Sequence, residues 1–375
     1  MTVQSKRTLK VEKLARIYDD EIAPIWGTRF GKMLLRNLAV PEKGQVLDIS
    51  CGTGYPTIEI LRRMRDGSRL IAIDASSAML EVARRKVADL GPLGKRGVFF
   101  RTESAVPKLS FADDVYDLVV CNLGLGEMPS LEVALRDFAR VTKIGGEVRC
   151  TLPLAGTFEE FHDLFREVLI KHDKHEALER LERLISRYPT VDHVERCMKT
   201  ANLDGGMEIE EFSLLFKSSR EFFFAPVIEY GPLADWKEIA GAGQEMQDVF
   251  WYIKEAIDAY YDRRPFQVTV KAGCLIGTKH APRPHDEMVV QVPVSFELPP
   301  STLDDDDTDD EDVDTGLPLP PHKIAAGSVR VADPDDLEVE EVADDGAFEI
   351  DVDVSAEHAL DAFIEGKKRP PHLDD

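Results

Sequence analysis

Residues 46–54 read Val46-Leu47-Asp48-Ile49-Ser50-Cys51-Gly52-Thr53-Gly54. A short apolar run carries an acid at Asp48 and then gives way to two glycines separated by one small residue. This order suits a buried parallel strand that delivers the chain into a tight turn and a helix, with backbone bare enough for a ligand to lie against it.

Outward from that turn the pattern alternates. Strand Gln45–Ile49 precedes helix Thr57–Met64, and strand Leu70–Asp74 precedes helix Ser76–Leu90. Strands Val98–Thr102 and Tyr116–Asn122 follow, then helix Leu131–Val141, a turn at Lys143–Gly146 and strand Glu147–Leu152. Such alternation predicts a Rossmann-like α/β domain, a parallel sheet with helices on both faces. Upstream, residues 1–44 form a helical cap, with a helix over Ser5–Ile22, a turn at Pro24-Ile25-Trp26-Gly27 and a short helix over Gly31–Leu38. Downstream, Thr157–Tyr188 has the apolar spacing of a long helix or of a hairpin bent near Asp173. Helix Val191–Ala201 and strand Met207–Phe216 come next. An aromatic-rich helical insert, about residues 218–264, separates that strand from the last one, Phe266–Thr278. The α/β domain so delimited covers residues 45–282.

Charge divides the chain again. Of 46 basic and 70 acidic residues, a net of −24, residues 283–375 hold 28 acids and 6 bases, so the tail carries −22 and the rest only −2. A segment this acidic buries too little apolar surface to offset its ordering entropy, so a largely disordered tail is expected. Two islands in it, Met288–Phe296 and Val354–Ile364, could order on a protein partner. No basic face points to nucleic acid. The first twenty residues are too polar for a signal peptide and no apolar run approaches the ~20 residues of a membrane span, so a cytoplasmic protein without a membrane partner is expected. Five scattered cysteines without a CxxC pair read as buried thiols rather than a metal site.

Asp74 ends the second strand about one βα unit beyond the glycine turn. Acids at neighbouring strand tips face the ligand crevice of such sheets, and a carboxylate there suits the two hydroxyls of a ribose. Capping of the following helix, by Asp74 or by Ser77, is the structural alternative. A dinucleotide site would want a third glycine where Thr57 stands, and no P-loop pattern occurs.

In order, VLDISCGTG (46–54), LIAIDAS (70–76), YDLVVCNLGLGEMP (116–129) and FARVTKIGGEV (138–148) resemble the motif set of class I S-adenosylmethionine-dependent methyltransferases of the small-molecule "methyltransferase type 11" kind. The resemblance covers about Tyr18 to Leu152 and, more loosely, extends to Lys279. It implies a seven-stranded sheet whose last strand is antiparallel, and S-adenosylmethionine as cofactor. It also implies that Asp48, Ser50, Cys51, Gly52 and Gly54 form the turn beneath the methionine part and that Asp74 meets the ribose. Ala75 would flank the adenine, Glu103 or Ser104 would meet its amine, and Asn122 and Leu123 would lie beside the methionine end. Tyr18 resembles the aromatic that closes over the cofactor. The sequence departs from the family where Ser50 replaces the first glycine and Ile144 replaces a proline.

Methyl transfer from a sulfonium needs alignment and exclusion of water, and needs a base only where the acceptor is protonated. Glu127, just past the fourth strand, is the candidate base, with an exposed loop acid as the alternative. Tyr230 is a second candidate, on the insert expected to cover the pocket, with Arg220, Glu221 and Glu229 nearby. Phe222, Phe223 and Phe224 read mainly as core, and His162 as structural. The CNLG strand end lacks the Asn-Pro-Pro-aromatic signature of adenine or amide methylation, and Cys121 does not follow a proline as a cytosine-ring nucleophile would. A small organic acceptor, partly apolar or aromatic, is therefore the leading expectation. The competing readings are a catalytically silent cofactor-binding adaptor acting through its acidic tail, and an NAD-linked oxidoreductase, which Thr57 disfavours.

Overall fold

The computed structural model describes residues 3–95, 97–261 and 264–281. The acidic tail, with its expected disorder and its two islands, lies outside the described residues. In chain order the elements are α1 (Val3–Ile17), a π-helical segment (Tyr18–Gly27), α2 (Thr28–Leu35), β1 (Gln45–Ile49), α3 (Thr57–Arg63), β2 (Arg69–Asp74), α4 (Ser77–Ala88), β3 (Val98–Thr102), β4 (Tyr116–Asn122) and α5 (Leu131–Val141). They continue with β5 (Thr142–Pro153), α6 (Glu159–Lys171), α7 (His175–Ile185), α8 (Val191–Thr200), β6 (Leu203–Phe216), α9 (Ser219–Phe223), α10 (Pro226–Glu229), α11 (Leu233–Ala240), α12 (Gly243–Tyr261) and β7 (Phe266–Lys279).

The seven strands form one sheet in the order β3-β2-β1-β4-β5-β7-β6. Strand β7 runs opposite to the other six, so that its pairings with β5 and β6 are antiparallel and all others parallel. This is the expected sheet, and its order reverses between β1 and β4, so the crevice at their carboxyl ends is where an open α/β sheet takes a ligand. Strand β1 is central and buried on both faces, which is why its apolar run does not alternate. On β4 the alternation is split between two cores. Leu118 and Val120 face the layer of α2, α3, α6 and the insert, whereas Val119 and Cys121 face α5 and α8. The edge strand β6 carries Glu208, Glu210 and Glu211, charges that discourage pairing with another strand.

Two expectations are corrected and one open alternative is decided. The turn at Pro24–Gly27 is instead part of the π-helical segment. Pro24 has no N–H to give to an α-helical ladder, and the wider spiral lets Thr28 N–H reach Ala23 O, five residues back. Consequently α2 begins at Thr28 rather than Gly31 and stops at Leu35. The turn at Lys143–Gly146 falls inside β5, as a register irregularity against β4 between Tyr116 and Leu118, with Gly145 in the left-handed region (φ 80°). Of the two readings of Thr157–Tyr188, the hairpin bent at Asp173 (φ 54°) is the one the chain adopts.

The N-terminal helices are fastened to the sheet by polar contacts. Buried Arg149 of β5 donates to the carbonyls of Leu34 (3.2 Å) and Arg36 (2.7 Å), acceptors that the end of α2 leaves unpaired. The insert adds aromatic side chains to the core on one face of the sheet, where they meet α6. Trp236 and Phe161 pack with ring centroids 4.0 Å apart, and Phe222 and Phe223 are fully buried beside them. Phe224 is only half-buried, with the Arg220 guanidinium 5.8 Å from its ring centre. Buried His162 meets Phe158 and Trp236 edge-on, and burial pushes its imidazole down to about 4, so it stays neutral and structural at physiological pH.

Candidate active site

The turn after β1 has the backbone its sequence requires. Ser50 (φ 54°), Gly52 (φ 54°) and Gly54 (φ 94°) all lie in the left-handed region, which costs a serine roughly 1–3 kcal/mol and a glycine little. Leu123, the first residue past the neighbouring strand β4, is left-handed too (φ 72°). Strained non-glycine residues thus cap both strands at the reversal point, and such strain concentrates at functional sites.

Asp48 is completely buried beneath this turn. Its Oδ2 accepts a 2.6 Å hydrogen bond from the Thr57 hydroxyl, while Oδ1 has no partner. Burial pushes the carboxyl up to about 7, with Asp74 adding to the rise and Thr57 opposing it. Thr57 stands where a dinucleotide turn would have its third glycine, so that departure supplies the one donor to a buried acid. Thr57→Val should destabilise the fold by about 1–3 kcal/mol by leaving both oxygens without a donor. Denaturant unfolding checks it, and an unchanged midpoint would mean that Asp48 finds another partner.

Asp74 joins the turn to the second strand. Its Oδ2 accepts from Gly52 N–H and its Oδ1 from Ser76 N–H, both at 2.8 Å. The capping alternative resolves differently from either expectation. Ser76 Oγ, not Ser77, caps α4 by accepting from Met79 N–H at 3.3 Å, and Asp74 is left facing the turn. Burial raises its carboxyl and the two backbone bonds lower it.

Tyr18, at the start of the π-helical segment, lies over Gly52. A Cβ built on Gly52 would sit 3.6 Å from Tyr18 Cε1. Its phenol is pushed up to about 12 by burial, then by Glu127, Asp74 and Asp19. Glu127 ends a short 3-10 turn, Gly124–Glu127, beyond β4. Its side chain is open to solvent, yet the surrounding protein and then Asp74 raise its carboxyl. Glu127 thus shares the mouth of the β1/β4 crevice with Tyr18 and Asp74, the groups with which it interacts electrostatically. No basic side chain is among the groups that shift Asp48, Asp74 or Glu127. The cleft is acidic.

Asn122 links the sheet to the π-helical segment, the lid that carries Tyr18 over Gly52. Its Nδ2 donates to Gly27 O at 3.1 Å, and its Oδ1 accepts from Thr151 Oγ1 at 2.8 Å. Leu123 N–H is held in turn by Thr151 O (3.1 Å) and Oγ1 (3.0 Å). Buried Cys51 sits within the turn and exposed Ala75 just beyond Asp74. Glu103 and Ser104 are occupied locally. Glu103 Oε1 accepts from Ser110 N–H and its Oε2 pairs with Arg101, while Ser104 Oγ accepts from Val106 N–H. Tyr230 follows α10, which packs against the π-helical segment, but its ring is 45% exposed. The structure therefore gathers Tyr18, Asp48, Gly52, Asp74, Asn122 and Glu127 at one crevice. Among the described residues no group of His, Cys, Asp or Glu is arranged to hold a metal, and no helix is long and apolar enough to cross a membrane. All five cysteines are buried and free.

Residues 46–146 match a family model described as a methyltransferase domain. That segment is similar to a methyltransferase domain. Relatives include the demethylmenaquinone methyltransferase of Halalkalibacterium halodurans, 32% identical over 36% of this chain and 53% of that protein. The enzyme of the same name from Staphylococcus aureus is 25% identical over 52% of this chain and 80% of its own length. The chain thus spans about half the length of the first relative. Among solved structures, the YcgJ protein from Bacillus subtilis aligns at 17% identity and a TM-score of 0.44, over 68% of this chain and 99% of that one.

Two contributors to the site stand out only in the fold. Thr57 reads in the sequence as a missing glycine, although a hydroxyl nine residues after a strand acid is a usable signal. Gly27, whose carbonyl anchors Asn122, carried no signal, because the pairing spans 95 residues.

Proposed function

We propose that the protein is an S-adenosylmethionine-dependent methyltransferase acting on a small organic acceptor. The observation that carries this reading is the clamp made by Asp74, which ties the glycine turn to β2 by accepting Gly52 N–H while Tyr18 covers the same glycine. A carboxylate offers about four acceptor positions, so after its two backbone bonds Asp74 keeps capacity for a ribose diol. The acidic cleft suits a cationic cofactor, whose charge would offset Asp48, Asp74 and Glu127. The buried, unpartnered Oδ1 of Asp48 fits the same reading, since an orphaned acceptor wants a donor or a cation. When bound, S-adenosylmethionine supplies an electrophilic methyl group.

The chain's own residues do the rest. Gly52 and Gly54 keep the turn free of side chains, Asp74 and Tyr18 hold and cover, and Asn122 fixes the lid segment to the sheet. Glu127, whose carboxyl is raised by its surroundings and then by Asp74, would take a proton from an acceptor that carries one. The relatives are named for demethylmenaquinone, which supports an acceptor of apolar, ring-containing character.

The test is incubation of the full chain with methyl-labelled S-adenosylmethionine and a metabolite extract enriched in quinols and aromatic compounds. A labelled small molecule formed by the wild type and absent with Asp74→Ala is expected. Binding of the cofactor without any labelled product would overturn the enzymatic reading in favour of a silent adaptor.

A further inference from the structure

Two turns meet at the reversal point of the sheet, one after β1 and one after β4. The contact between them is made by Ser50 and Gly124. A Cβ built on Gly124 would lie 2.4 Å from Ser50 Cβ, 2.6 Å from its Oγ and 3.1 Å from Cys121 Sγ. None of these neighbours is the free end of a long side chain, so no substituent fits at 124 while a side chain stands at 50. Gly124 is buried, and its own φ is not in the left-handed region, so its identity here follows from space and not from backbone conformation. The side chain at Ser50, absent from the family pattern that the turn resembles, is matched by a missing one across the crevice.

Gly124 also opens the short turn that ends in Glu127. The other side of that turn is already fixed, since Leu123 N–H is bound to Thr151 and Thr151 to Asn122. We propose that Ser50 is a positioning residue whose Cβ, seated against Gly124, sets the separation between the glycine turn and Glu127. A cofactor on the first turn and a proton acceptor on the second would then be spaced by one methylene-sized contact, and misplacement of about 1 Å can cost on the order of 100-fold in rate. The inference rests on the methyl-transfer reading only for what Glu127 is positioned to do.

The test is a titration that needs no acceptor. In full-length protein with carbon-13 in the glutamate carboxyls, and with Glu127→Gln to assign the signal, the midpoint of Glu127 reports its place in the cleft beside Asp74 and Tyr18. The variants are Ser50→Gly, Ser50→Ala, Gly124→Ala and Ser50→Gly/Gly124→Ala. Gly124→Ala should move the midpoint down, toward the ordinary carboxylate range, by about half a pH unit or more as the turn is pushed outward. The double variant should restore it, and Ser50→Ala, which keeps Cβ, should match the wild type. Ser50→Gly should shift the midpoint because the spacer is gone. If Gly124→Ala does not fold, the two single Ser50 variants still decide. Identical midpoints in Ser50→Gly and wild type, or a double variant no closer to wild type than Gly124→Ala, would overturn the proposal. Failure of the functional reading would appear separately, as a wild-type chain that binds no S-adenosylmethionine.

Discussion

Asp48→Asn should flatten a fall in stability that the wild-type chain shows as pH rises. The Asp48 carboxyl titrates at about 7 in the folded protein, whereas an unfolded aspartate titrates near ~3.9. Between those values the folded state holds a proton that the unfolded state has released, so stability is lost as pH climbs, and the loss is complete once the folded carboxyl has ionised. At about 1.4 kcal/mol per pH unit, this one group lowers stability by about 4 kcal/mol over the whole span, and by about 2 kcal/mol between about pH 5.5 and 8. Asparagine does not titrate and removes the term. Denaturant unfolding at the two pH values checks the prediction, and parallel losses in wild type and variant would show that Asp48 does not bear the proton. Thr57→Val should act in the same direction as pH, with the larger cost on the alkaline side, because it is the ionised form that most needs the hydroxyl.

Asp74→Ala should weaken S-adenosylmethionine binding by about 100-fold or more, since each hydrogen bond to a charged group contributes about 1.5–3 kcal/mol and a ribose would make two. The variant also frees Gly52 N–H and Ser76 N–H, so the glycine turn loses the tie that holds it to β2. Ser76 keeps α4 capped through Met79 N–H, and the fold should therefore survive. Equilibrium binding and a melting curve on the same samples separate the two effects. An affinity within about threefold of wild type would remove Asp74 from the cofactor site.

The sheet was legible because strand composition and burial agree. The continuous apolar run at β1, the acids at two adjacent strand tips and the bare glycine turn all express one physical situation, a central parallel strand opening on a crevice. Phe266–Thr278 is recognisable as a strand from its own pattern, but its antiparallel direction comes from family resemblance. The π-helical segment was illegible for the opposite reason. Pro24 reads as a breaker, and nothing local shows that Thr28 will reach back five residues or that Asn122 will fasten Gly27 from across the chain. Long-range pairings also decide the site. Ser50 looked like a defect in a glycine motif and Gly124 like an ordinary loop glycine until the fold placed them in contact. Glu127 was nameable as a candidate because it follows β4. Its surroundings, open to solvent yet desolvated beside Asp74, are a property of the cleft that no linear spacing encodes.

Calorimetric titration of the full chain with S-adenosylmethionine tests the central claim most directly. The expected result is saturable one-to-one binding that S-adenosylhomocysteine displaces and Asp74→Ala abolishes. No heat of binding from the wild type, or displacement by a nicotinamide dinucleotide instead, would contradict it.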